Sequence, residues 1–289
     1  PKDEFLVFEQ GPSVDVTLQW ATYRDASDEC SLSRIWGGIH PPADDIPGRK
    51  MGKAVGLRSF AFADSIFSAG TPSAQIKAFL EGPYVGNDSM RASLTNLITL
   101  DDPFGLGITA DSDVLDKTGA KAPVDWVIVE LRDKADATII LDSAAAIILA
   151  DGELINPLGK EAVTFPDFEI GEYYVALRHS NHLGVMTATT VMLDAYAPLI
   201  DFSDPNTAVF NNGGPAMKND NGVMVLWSGD ANSDGTINAV DNITYWQAEN
   251  GQPYLYGTNK ADFNLDATVN AVDLNLYWLI NNSRIEQLP

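Results

Sequence analysis

Cysteine is nearly absent: Cys30 stands alone, so no intramolecular disulfide can form and the fold must rest on its apolar core and on bound ions. A single thiol of this kind reads as a small packing residue. Basic residues are scarce as well, 18 Lys and Arg against 40 Asp and Glu, for a net charge of −22. That balance excludes a nucleic-acid footprint, which needs basic patches to neutralise phosphate, and disfavours an anionic membrane surface. Divalent cations are the partners it attracts. No run of 18 apolar residues occurs, so a transmembrane helix is not expected. A signal peptide and an initiator Met are also missing, and Pro1 opening directly into structured-looking sequence reads as a mature or cleaved portion of a longer precursor.

What is present is an ordinary globular composition, 45% apolar and 20% charged over 289 residues, enough for two or three domains. Helix-period apolar residues run over 14–30 and 49–67, separated by Gly37-Gly38-Ile-His40-Pro41-Pro42. From about residue 74 the pattern becomes short apolar or alternating runs, 75–80, 126–131, 138–141, 145–150, 173–178 and 187–193, punctuated by Gly, Asp, Asn and Pro. An antiparallel sandwich reads this way. The expected fold is therefore multidomain: a small α-helical segment (1–72), a β-sandwich (73–228) and an α-helical calcium-binding module (229–289).

The last module rests on a repeat. Asp230-Ala-Asn232-Ser-Asp234-Gly235-Thr236-Ile237-Asn238-Ala-Val-Asp241 returns 32 residues later as Asp262-Phe-Asn264-Leu-Asp266-Ala267-Thr268-Val269-Asn270-Ala-Val-Asp273. Calcium takes six to eight oxygens at about 2.3–2.6 Å, so its ligands come from alternate residues of a tight loop closed by a carboxylate from the following helix. Here side-chain oxygens fall at positions 1, 3, 5, 9 and 12, with the Thr236 and Thr268 carbonyls at position 7, giving two predicted Ca²⁺ sites. Ile237 and Val269 are the apolar residues through which the loops would pack together. Gly235 supplies the positive φ of position 6, and Ala267 in its place should cost about 1 kcal/mol. The second site is therefore expected to be the weaker or more distorted one.

Each loop leads into a stretch of helical character, 240–250 and 272–282, with Tyr245-Trp246 and Tyr277-Trp278 at matching positions. The segment before Asp230, Val223-Met-Val-Leu-Trp227, reads as a strand rather than an entering helix. One helix per loop, twice over, resembles a type I dockerin more than a full EF-hand. The resemblance implies calcium-dependent folding and a surface for a cohesin-like partner at positions 10 and 11 of each loop, Ala239-Val240 and Ala271-Val272. The middle region resembles a β-sandwich module of secreted Bacteroidetes-type surface proteins, through Phe79-Leu-Glu-Gly-Pro-Tyr84, Asp125-Trp-Val-Ile-Val-Glu-Leu-Arg132 and Tyr174-Val-Ala-Leu-Arg-His-Ser-Asn-His-Leu-Gly184. His179 and His182 have no clear third ligand nearby and read as a turn-stabilising pair rather than a metal site.

The helical region holds Ser33-Arg34-Ile-Trp-Gly-Gly-Ile-His40-Pro-Pro-Ala-Asp44, with Trp20-Ala-Thr-Tyr-Arg-Asp upstream and Gly48-Arg-Lys-Met-Gly downstream. The stretch from about 8 to 58 resembles the vanadium-dependent haloperoxidase and type 2 phosphatidic acid phosphatase superfamily. The resemblance implies that His40 attacks phosphorus or binds vanadate apically, that Asp44 holds its ring, and that Arg34 forks onto equatorial oxygens, with Ser33 fixing the loop. The family's other half is missing: no Lys and Arg from an earlier helix, and no Ser-Gly-His, since Gly11-Pro-Ser13 lacks the histidine. One histidine and one arginine do not neutralise a trianionic transition state or protonate a leaving group, so this chain alone is expected to be inactive.

Together these readings describe a secreted or cell-surface, calcium-binding structural or interaction protein derived from a haloperoxidase or phosphatase precursor. Two alternatives stand beside it. A companion chain could supply the missing helices and complete a vanadate haloperoxidase or acid phosphatase. Alternatively, further copies of the chain could dock on its exposed helices as a self-assembling surface or filament subunit.

Overall fold

Thr22 decides where the first helix begins. In the computed structural model, which describes residues 5–6, 9–10, 14–67 and 70–289, its hydroxyl accepts the Asp25 N–H at 3.2 Å while the Asp25 carboxylate accepts the Thr22 N–H at 3.0 Å. This reciprocal capping box satisfies two free donors at once. Helix α1 (Tyr23–Trp36) therefore starts well inside the expected 14–30 span and runs past Cys30. It stops where Gly37 donates to Ser33 O at 2.9 Å and Gly38 turns left-handed at φ 71°. Cys30 is exposed on α1 rather than packed, which corrects its expected role.

Helix α2 (Pro42–Phe67) also starts earlier than expected, at a proline whose missing N–H costs nothing in a first turn, with Asp44 and Asp45 placed favourably against the helix dipole. Pro47 lies inside α2 and forfeits one backbone bond without ending it. Before α1, strands β1 (Phe5–Leu6) and β2 (Glu9–Gln10) pair antiparallel. The described chain divides into two compact units, Pro1–Phe67 and Ser68–Pro289.

The second unit is mostly antiparallel sheet. It opens with β3 (Ser73–Lys77) and the hairpin β4 (Tyr84–Gly86) and β5 (Ser89–Met90), followed by the single turn α3 (Ser112–Leu115). The long strands β6 (Pro123–Arg132) and β7 (Ile140–Leu149) come next, then β8 (Leu154–Ile155), β9 (Val163–Thr164) and β10 (Gly171–Arg178). After them run β11 (Val185–Met186), β12 (Val191–Leu193), β13 (Leu199–Asp201), β14 (Lys218–Asp220) and β15 (Val223–Val225). One sheet has the order β11-β10-β6-β7-β8 with β12 also on β10; another is β13-β3-β9, in which β13 and β3 run parallel.

Two expected strands, 138–141 and 145–150, are one: Asp142 and Ser143 pair with Leu131 and Glu130 across the β6–β7 ladder, so their polar side chains interrupt the apolar run but not the strand. Of the expected 187–193 strand only the end forms, as β12 on β10; β11 precedes that span and pairs with β10 as well. The two sheets share one core in which Ile76, Phe79, Trp126, Phe165 and Phe202 are fully buried, each contributing about 1.5–3 kcal/mol. Central β6 is buried along nearly its whole length, and so lacks the alternation of a half-exposed strand.

The carboxy-terminal repeat is seated on this β region through Glu81 and Gly82. The buried Glu81 carboxylate accepts Lys218 Nζ at 2.6 Å, Ser228 N at 2.9 Å and Asn281 Nδ2 at 2.6 Å. At Gly82 a Cβ would lie 1.9 Å from the Phe263 carbonyl oxygen and 2.9 Å from Asn264 Cα, so backbone meets backbone with no room for a side chain. Gly82→Ala is expected to unseat the second loop, costing about 2 kcal/mol or more as overpacking does. A fall in the melting temperature together with faster proteolysis within 229–289 is the expected readout; a wild-type melting curve would refute the contact.

Candidate metal centre and candidate active site

The two predicted loops share the frame that holds positions 1 and 12 and differ at position 9, where the Asn238 amide donates to the Thr236 carbonyl and the Asn270 amide to the Thr268 hydroxyl. In the first, Asp230 accepts the N–H groups of Asp234 (3.2 Å) and Gly235 (2.9 Å), while Asp241 accepts those of Ala231 (2.8 Å) and Asn238 (2.7 Å). In the second, Asp262 accepts Asp266 N (3.0 Å) and Ala267 N (2.9 Å), and Asp273 accepts Phe263 N (2.8 Å) and Asn270 N (2.9 Å). Asn232 and Asn264 each donate their amide to the Asp at position 5, Asp234 and Asp266, at 2.7 and 2.9 Å. Thr236 and Thr268, the position-7 residues, follow in each loop with N–H groups donated to Asp234 and Asp266. Ala267 adopts φ 69° where Gly235 has φ 82°, so the second loop keeps its shape and bears the strain locally.

Reciprocity joins the loops. Trp246 Nε1 donates to the Asn270 carbonyl and Trp278 Nε1 to the Asn238 carbonyl, both at 2.8 Å, so each repeat's tryptophan locks position 9 of the other loop. Ile237 and Val269 are buried in a small core of their own with Trp278, Phe263 and Trp227. Their backbones do not pair with each other: Ile237 donates to Arg284 O and Val269 accepts from Gly251. The helical stretches expected at 240–250 and 272–282 run without a break over 239–249 and 271–281. Wide π-type turns, Asp241–Trp246 and Asp273–Trp278, lead into α4 (Gln247–Glu249) and α5 (Leu279–Asn281).

Buried carboxylates face one another in both loops. Desolvation, reinforced by neighbouring Asp241 and Asp234, pushes Asp230 up to about 6, and desolvation with the Asp273 charge pushes Asp262 up to about 8; Asp273 rises to about 6 and Asp241 rises too, both mainly through burial. Hard oxygens with excess negative charge in a dry loop are the donor chemistry a divalent cation suits, and the residues fit one. Among the described residues, no group of three or more His, Cys, Asp or Glu is arranged to hold a metal by those side chains alone. A cation in either loop would draw on the Asn and main-chain oxygens as well.

The fingerprint residues of the helical unit also come together, on the turn between α1 and α2. Arg34 Nη2 lies 2.8 Å from His40 Nε2, and His40 Nδ1 lies 2.8 Å from Asp44 Oδ2. Guanidinium only donates, so Nε2 accepts and the ring proton sits on Nδ1, directed at Asp44. Arg34, His40 and Asp44 line a cleft of about 260 Å³ with Asp45, Gly48 and Arg49. Ser33 is not part of it: its hydroxyl donates to Cys30 O at 2.7 Å, a back-bond within its own helix. Arg49 escaped the sequence reading; the Gly48-Arg49 stretch was its only signal, and it is held by Asp28 at 2.6 Å and Asp45 at 3.3 Å. Residues 11–13, where the family's second histidine was sought, lie outside the described residues.

His179 and His182 are buried rather than merely bracing a turn. His182 Nε2 accepts the Gly82 N–H at 3.3 Å, so its Nδ1–H serves Asn181 Oδ1 (2.8 Å) and His179 Nδ1 (3.1 Å). His179 Nε2–H then points to Asp125 Oδ2 at 3.1 Å. Burial, with His179 beside it, holds the His182 imidazole well below its ordinary range and therefore neutral.

Residues 2–69 match the family described as the VCPO second helical-bundle domain, which supports kinship of the helical segment with the haloperoxidase and phosphatase superfamily. That stretch is under a quarter of the chain. No curated protein matches the chain. Among solved structures, an N-terminal and a C-terminal interface mutant of a type II cohesin–X–dockerin complex from Acetivibrio cellulolyticus are similar at 14% identity, over 74% of this chain and 97% of theirs, with TM-scores of 0.36 and 0.38. Likeness at that level carries no argument about fold or partner.

Relief of the strain at position 6 gives a direct check on the loop geometry. Ala267→Gly is expected to stabilise the protein by about 0.5–1 kcal/mol, raising the melting temperature by about 1–4 °C. A lowered melting temperature would show that the second loop does not need its left-handed residue.

Proposed function

We propose that this chain is a secreted or cell-surface interaction protein whose segment 229–289 is a calcium-binding, dockerin-like module seated on a β region. The observation that carries the reading is the matched frame of main-chain N–H groups that holds the position-1 and position-12 carboxylates of both loops. Asp230, Asn232, Asp234, the Thr236 carbonyl, Asn238 and Asp241 would hold one Ca²⁺; Asp262, Asn264, Asp266, the Thr268 carbonyl, Asn270 and Asp273 would hold the other. Bound calcium would neutralise the buried carboxylates and add its binding free energy to folding.

The surface that the module offers is apolar. Val240 and Val272 at position 11 are 44% and 39% exposed, and Ile243 and Leu276, on the helical turns that follow, are 62% and 55% exposed. Such a patch on a strongly acidic protein supports a protein partner of cohesin-like type. Chelation of the purified protein is expected to lower its melting temperature, and Asp241→Ala and Asp273→Ala to abolish part of the calcium-dependent shift, Asp241→Ala the more. A melting curve indifferent to chelator would overturn the calcium reading.

A second reading rests on the Arg34–His40–Asp44 chain: a haloperoxidase-type or acid phosphatase-type half-site that a companion polypeptide would complete. Here His40 Nε2 carries a lone pair that takes the Arg34 N–H, Asp44 fixes the tautomer, and Arg34 with Arg49 provides positive charge for an oxyanion that would draw the guanidinium off the ring. This chain would bind oxyanion weakly and catalyse nothing alone. Orthovanadate titration monitored by ⁵¹V NMR is expected to show weak binding that His40→Ala removes, with no phosphatase or halide-oxidising activity in the purified chain. Activity in that chain would refute the half-site; vanadate binding equal in His40→Ala would refute the role of His40.

A further inference from the structure

Asn181, only 2% exposed in the segment between β10 and β11, touches the first residue of both loops. Its main-chain carbonyl accepts the N–H groups of Gly229 (3.0 Å) and Asp230 (3.2 Å). Its side-chain amide donates instead to the carbonyls of Lys260 (3.1 Å) and Asp262 (2.8 Å). The Asn181 Oδ1 is committed to His182 Nδ1 at 2.8 Å, which fixes the amide orientation. The grip on the first loop is thus main chain and the grip on the second is side chain.

Tyr254, in the connector between the repeats, adds to the second loop only. Its hydroxyl lies beside the Asp262 carboxylate, which already takes the Asp266 and Ala267 N–H groups. Gly222 stands at the equivalent distance before Asp230 and has no side chain to reach it. An amide that holds the main chain of a ligand residue, with a phenol beside its carboxylate, restricts that residue's swing, the part that outer-shell groups play at metal sites.

We propose that Asn181 and Tyr254 are positioning residues of the second calcium loop, so that the β region and the connector, and not the loop alone, set its affinity. This rests on the calcium reading above. It also assigns a role to the connector, which departs from a bare pair of loops, and to Asn181, which belongs to another part of the chain. The strain at Ala267 would then be offset by contacts from outside the loop.

The test is calcium titration calorimetry on the full chain. The unsubstituted protein is expected to bind two Ca²⁺. Asn181→Ala and Tyr254→Phe are each expected to weaken one binding step by about tenfold to a hundredfold and leave the other unchanged. In an Asp241→Ala background, where the second loop alone keeps its closing carboxylate, the loss persists; in an Asp273→Ala background it vanishes. Tyr254→Phe removes one oxygen and keeps the ring, so it reads the hydroxyl beside Asp262 without emptying the core. Unchanged affinity in both variants overturns this inference and leaves the calcium reading standing, as does an equal loss at both loops. A parent chain that binds no calcium overturns both.

Discussion

Burying carboxylates against one another is the constraint around which the carboxy-terminal half is arranged. Asp230, Asp241, Asp262 and Asp273 are at most 2% exposed, and in each loop two of them share a space that water does not reach. Desolvating a charge costs several kcal/mol unless hydrogen bonds and an opposite charge answer it. Main-chain N–H groups at positions 2, 5, 6 and 9 provide the first part of the answer in both loops. The positive charge must come from elsewhere, and no Lys or Arg is paired with these four carboxylates among the described interactions. The divalent cation proposed for each loop would complete that answer.

The same logic orders what surrounds the loops. Glu81 collects a lysine, an amide and a main-chain donor under the repeat, and Arg178 reaches Glu286 in the tail at 3.4 Å while facing Glu130 at 3.9 Å. The tail is stitched in by main chain as well, Glu286 donating to Gly235 O at 2.7 Å. Exchange of the Trp246 and Trp278 indole bonds makes either loop part of the other's frame. In the helical unit the order is different: a guanidinium, an imidazole and a carboxylate form a line at hydrogen-bond distance on an open cleft, a site with a defined tautomer but with few positive charges around it.

Much of this was legible in the residues. Repeated Asp and Asn at alternate positions announced the loops, because calcium coordination requires that spacing, and the spacing of Arg34, His40 and Asp44 put them on one turn. Helix limits were less legible. The apolar period over 14–30 carried no information about Thr22, whose capping bonds depend on Asp25, and Pro47 looked unlike a helix interior although its cost is a single bond. Asp142 and Ser143 seemed to divide a strand that the ladder with β6 holds together. Ser33 was placed in the site by its position in a motif, whereas a helical back-bond to Cys30 turns its hydroxyl away.

The sequence by itself determined the order of Asp and Asn in both loops, the left-handed requirement at Gly235 and Ala267, the acidic excess, and the Arg34, His40 and Asp44 line, because each depends on neighbours a few positions apart. Tertiary structure decided that Asn181 grips both loops, that Gly82 must be bare for Phe263 to approach, that Tyr254 reaches Asp262, and that Arg49 joins Arg34 at one cleft. Most of these contacts join residues distant along the chain, and a local pattern carries no record of which distant backbone will come to lie against it.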